Sequence, residues 1–234
     1  MTKLSLPLDN YDIIARLTPA IITVLPVLVV YHYLLSGIAG DFVRELSGKL
    51  FLGYIGVGTA WTYFVMQIVN RITGKYLEDR LFQNGRLLPT TEVLMPDDPT
   101  YSFTAKQEIA AKYRDEFHSD LPIFDNDFDN YGKRQRLNEC VSKIRTRLKE
   151  NSLVRRHNTE YGFIRNLGGG SIWAFVLTII NLIIFYFIVQ NAVATNISFG
   201  LAILYGIVII YSLFAIPYLG KKYAQILLEQ FLNS

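Results

Sequence analysis

Charge is scarce in this chain, histidine scarcer, and cysteine almost missing. The one cysteine, Cys140, can form neither an internal disulfide nor a multi-cysteine metal site. The three histidines, His32, His118 and His157, stand at no metal-ligand spacing on one helix, and no HExxH or paired-carboxylate motif accompanies them. No metal, no cofactor and no catalytic constellation is expected, so the chain reads as a non-enzyme. Charged residues are 18% of the 234, against about a quarter in ordinary soluble domains. Together with the aromatic content of 14%, this excludes a disordered chain, a secreted disulfide scaffold and a free nucleic-acid-binding domain.

Hydrophobic residues make up 51% of the chain and gather in four blocks: Leu17 to Leu35, Leu50 to Val69, Ile172 to Gln190 and Ile197 to Leu219. None contains Lys, Arg, Asp or Glu. Each has about the 20 residues that a helix needs to cross roughly 30 Å of hydrocarbon. Core helices of soluble proteins are usually shorter and keep a polar stripe. Four membrane spans are therefore predicted. The first block follows Lys3, Asp9, Asp12 and Arg16 rather than a positive n-region, so a retained span is expected and not a signal peptide.

Lys and Arg set the orientation. The stretch from Asn70 to Ser171 holds 17 of the 23 basic residues, and Lys221 and Lys222 follow the fourth block. The predicted fold class is thus an all-α integral membrane protein, with four transmembrane helices as two hairpins (residues 17–69 and 172–219). A mainly helical cytoplasmic domain (70–171) is inserted between spans two and three. The N-terminal segment (1–16) and the C-terminal tail (220–234) are also expected to be cytoplasmic, in a bacterial inner membrane.

Within the insertion, a helix is expected to continue span two as far as Asn84-Gly85. An extended or irregular connection from Leu87 to Pro99 follows, then a helix opened by a Thr104/Gln107 capping box. Leu137, Cys140, Val141, Ile144 and Leu148 lie at helical spacing, predicting another helix that runs on to Gly168, Gly169 and Gly170. That glycine triplet reads as a hinge between the insertion and span three, with Ser171 capping the span. Asp125, Asp127 and Asp129 resemble the opening of a calcium loop, but Asn130 and Arg136 stand where it needs Gly and Glu.

Charge is segregated here. Residues 92–129 carry a net −7, and residues 133–165 a net +7. Two readings stay open: the acidic half packs on the basic half, or Arg145, Arg147, Lys149, Arg155 and Arg156 face lipid headgroups or another anionic ligand. Inside the spans, Gln67, Thr178 and Asn181 either join neighbouring helices or line a polar path between subunits. Gly53, Gly56 and Ala60 offer close helix contacts. Four helices leave little room for a pore in one copy, so a homo-oligomer is expected in the lipid bilayer. The function expected is a pore-forming or membrane-perturbing effector gated by a cytoplasmic signal, of the kind that suits stress or antiphage defence. The alternative is a scaffold recruiting a soluble cytoplasmic protein. Direct binding of nucleic acid is not expected.

Overall fold

The computed structural model describes residues 9–35, 58–124 and 130–234. Among them all regular structure is helical, with no strand. The helices are α1 (Asp12–Leu34), α2 (58–81), α3 (Pro89–Glu92), α4 (Phe103–Phe117), α5 (Asn130–Arg147), α6 (Ser152–Ile188) and α7 (Ala192–Leu232). Three of them, α1, α6 and α7, are long and apolar enough to cross a membrane. Of the remaining expected span, only residues 58–69 are described; they are helical and continue into Asn70–Leu81. Gly53, Gly56 and the acidic Asp125 to Asp129 lie outside the described residues.

The chain divides into two compact units, one built from residues up to 77 and 162–213, the other from 78–161 and 214–234. Helices α6 and α7 each contribute residues to both. In the first unit, α1 meets α2 through Ala20, Val24, Val65 and Met66. Helix α1 is interrupted at Val24, two residues before Pro26, where the Val27 N–H bonds back to the Val24 carbonyl in a tighter turn. Before Pro19 the turns widen instead, and the Thr18 N–H reaches the Ile13 carbonyl.

The expected helix end at Gly168, Gly169 and Gly170 is absent: the α-helix runs unbroken from Ser152 to Ile183. Each glycine weakens a helix by about 1 kcal/mol relative to Ala, so something must require them. A Cβ on Gly169 would lie 2.2 Å from the Gly74 nitrogen, and one on Gly170 would lie 2.2 Å from Asn70 Oδ1. One on Gly168 would meet Ser212 Oγ at 2.5 Å. The triplet is a flat surface on which α2 and α7 rest against α6. Ser171 lies inside the same helix, fully buried, and caps nothing.

The second unit has its own core. Val93, Leu94, Ile109, Tyr113, Val141 and Ile144 pack with Leu227, Leu228 and Phe231 from the last turns of α7. Helix α2 ends where anticipated, because Gln83, Asn84 and Gly85 all take positive φ. Helix α4 is capped two residues before the expected position: Ser102 Oγ accepts from the Ala105 N–H at 3.2 Å. Helices α5 and α6, expected to be continuous, part at Leu148–Asn151. There Asn151 Oδ1 accepts from the N–H groups of Leu153 and Val154 and starts α6 afresh.

Candidate functional site

Two sets of residues carry the polar chemistry, one in each unit. In the first unit it begins with proline. A helical proline has no N–H to give the carbonyl four residues earlier. Pro19 leaves the Ala15 oxygen without that donor, and Asn166 Nδ2 on α6 supplies one at 2.6 Å. Pro26 does the same to Ile22, and the Tyr205 hydroxyl on α7 donates to that oxygen at 2.7 Å. Asn181 Nδ2 then donates to the Pro26 carbonyl at 2.8 Å. Two prolines in α1 thus create acceptors that α6 and α7 occupy from outside.

Asparagine and glycine also alternate across the α2–α6 crossing. Asn70 faces Gly170, and Asn166 faces Gly74, where a Cβ would lie 3.1 Å from Asn166 Oδ1. Each helix offers an Asn and, four residues on, a Gly, and they meet reciprocally. Asn70 is fully buried, and Thr23 Oγ1 lies 3.2 Å from its Oδ1 while also 2.9 Å from the Pro19 carbonyl. The Thr23 hydroxyl thus lies between the Pro19 carbonyl and the Asn70 carboxamide oxygen, both within its donating reach, and Asn70 Nδ2 is buried without a partner.

This arrangement decides how the intramembrane candidates are used. Asn181 is buried and spent on Pro26; Thr178 is fully buried, with Oγ1 donating to the Ala174 carbonyl at 2.7 Å. Asn181 thus reaches from α6 to α1, whereas the Thr178 bond stays within its own helix. Gln67 is half-buried and joins neither of them.

In the second unit, acidic and basic segments engage each other. Arg134 Nε lies 2.5 Å from Glu92, and that hydrogen bond raises its already high pKa. Arg147 pairs with Glu116, and Arg145 Nη2 donates to Thr90 at 2.7 Å. Arg156 Nε is 3.2 Å from Glu160 Oε1, and His157 Nδ1 is 3.0 Å from Glu160 Oε2. Lys149 extends into solvent 3.9 Å from Glu150, and Arg155 is exposed but engaged. Arg145, Arg147, Lys149, Arg155 and Arg156 are the five predicted anion-binding residues. An open groove of about 410 Å³ includes Arg147 alone of them, with Lys143, Glu139 and Phe117.

Lys106 carries the most unusual environment in this unit. It is buried, and its ammonium donates to the carbonyls of Met95 at 2.5 Å and Asp98 at 2.7 Å. It pins the proline-rich segment to α4. The basic count of the sequence gives no sign of this, because the partners are backbone oxygens. The Asn166 and Tyr205 contacts had a signal: each proline marks an acceptor four residues upstream. No group of three or more His, Cys, Asp or Glu side chains able to hold a metal occurs among the described residues. No family model, curated protein or solved structure matches the chain.

Proposed function

We propose that this chain is a non-enzymatic, homo-oligomeric membrane protein whose charged unit receives a cytoplasmic signal and whose apolar helices respond by perturbing the bilayer. The observation that carries this reading is that α6 and α7 each place one end in a separately cored, charged unit and the other among membrane-length apolar helices. A rearrangement of either core acts on the same two helices. The finer threading belongs to this proposal: four spans with residues 50–69 as the second, the insertion and both termini cytoplasmic, in a bacterial inner membrane. A role in stress or antiphage defence fits such a device.

Release of a self-quenching dye from liposomes containing the purified protein tests it. Sustained release supports the effector. A second reading, a scaffold that recruits a soluble protein, is favoured by the commitment of Thr178 and Asn181 to contacts inside one copy. No leakage, together with a stoichiometric soluble protein co-purifying from native membranes, would establish the scaffold instead. Unchanged flux in Asn181→Leu removes that side chain from any pore lining.

A further inference from the structure

The crossing of α2 and α6 leaves two complementary polar atoms unused. Asn70 Nδ2 and Asn166 Oδ1 are both buried, and neither has a hydrogen-bond partner. One is a donor and the other an acceptor, so each is what the other lacks. They miss by one turn. Asn70 lies against Gly170 and Asn166 against Gly74, so the helices run antiparallel and each amide meets the glycine four residues beyond the other amide. A slide of α2 by four residues toward the N-terminal end of α6 brings the two amides face to face. The same slide sets Gly74 against Gly162, because α6 carries Gly162, Asn166 and Gly170 at steps of four.

Little on this surface resists such a slide. Interlocked side chains ordinarily fix the register of two helices, and Gly169 and Gly170 present none to α2. Directly before Asn70 the backbone is already widened: the Asn70 N–H bonds to the Val65 carbonyl five residues back, a geometry rare in helices and frequent at functional sites. The hydrogen bonds nearly balance. Thr23 Oγ1 lies 3.2 Å from Asn70 Oδ1 in the present register, but it also reaches the Pro19 carbonyl at 2.9 Å and keeps that acceptor when Asn70 leaves. An amide–amide bond then replaces the shared contact, and one buried orphan, Asn70 Oδ1, remains in place of two. We propose that α2 has a second register on α6, one helical turn from the first, in which Asn70 and Asn166 bond to each other. Packed helices switch between discrete arrangements rather than deforming continuously, and one-turn ratchets are among them.

Pulsed electron-spin distance measurements on the detergent-solubilised full chain test it. The background is Cys140→Ala, with nitroxides on Ile72→Cys and Ile183→Cys, both exposed positions. The parent should show its main distance and a minor population, on the order of 10%, that is longer by roughly 5–6 Å, the rise of one turn. Thr23→Val keeps the shape of that side chain and frees Asn70, so the longer distance should grow severalfold. Adding Asn166→Leu should abolish it, because the acceptor is gone. Gly170→Ala, whose Cβ would collide with the Asn70 amide, should populate the longer distance by an independent route. A single distance in the parent and in Thr23→Val overturns the second register and leaves a trapped water to satisfy both amides. A longer distance that survives Asn166→Leu overturns it too, since the paired amides would not define that state. Dye release reports separately: a chain that changes register but never leaks refutes the effector and leaves this inference standing.

Discussion

A proline in a membrane helix breaks two things at once: its own hydrogen bond and the carbonyl that bond would have served. Here the second loss is repaired by named side chains, which makes it measurable. Asn166→Ala removes the donor from a buried carbonyl and is expected to destabilise the detergent-solubilised protein by about 1–3 kcal/mol. In a Pro19→Ala background the backbone regains its N–H, so the same substitution should cost clearly less. A cycle of the four variants by thermal unfolding reports this coupling, expected above about 0.5 kcal/mol. Additive effects would mean that Asn166 does not serve the carbonyl that proline leaves free. The phenols of the second unit give a second residue-level test. Burial pushes the Tyr101 and Tyr113 hydroxyls up to about 12, from 10.0. Between those values the unfolded chain ionises and the folded one does not, so stability should fall as pH rises above 10. Circular dichroism from pH 8 to 11.5 should show that fall reduced in Tyr113→Phe; an unchanged slope refutes the assignment. At this scale the sequence exposed the prolines and polar residues but not their pairing, because Ala15 and Asn166 are 151 positions apart.

Among the elements, the glycine triplet separates two accounts most cleanly. A hinge tolerates alanine, and a helix with free surface gains from it. Gly169→Ala instead meets the Gly74 backbone, which cannot rotate out of the way. The expected outcome is a loss of about 1–3 kcal/mol in thermal stability, against a gain for Ala at Gly200, where a Cβ meets nothing within 4 Å. Lys106→Met should unsettle the 93–99 segment in a similar way: its ammonium leaves and the buried carbonyls lose their donor, at a cost of about 2 kcal/mol or more. Proteolysis within that segment should accelerate while the helices stay intact. The apolar runs and the stop at Asn84-Gly85 were legible because they depend on local chemistry. The continuity of α6 was not, since three glycines look like a break until Asn70, Gly74 and Ser212 occupy the space they leave. The opposite error occurred at Asn151, where an apolar periodicity that runs through Leu148 and Val154 hides a cap.

For the molecule as a whole, the proposed threading rests on the distribution of basic residues and is open to a direct test. With Cys140→Ala as background, Lys222→Cys should react with an impermeant maleimide only after the cytoplasmic side is opened, and Asn191→Cys should react in intact cells. The reverse pattern would invert the predicted orientation. Equal labelling from one side would remove one crossing between them. Charge segregation in the insertion was also readable beforehand, and the Arg134–Glu92 and Arg147–Glu116 pairs show how much of it is spent internally.

The core of the second unit closes with Ala224, Leu227, Leu228 and Phe231, although its other members end at Val154. A ribosome must therefore add some 70 residues, including most of two apolar helices, before the first of those side chains exists. At about 5–20 residues per second, the half-built core waits several seconds with its apolar floor uncovered. Its completion is thereby tied to the arrival of the final helix, so the charged unit reaches its mature form only in a chain that has already been synthesised to its last turns.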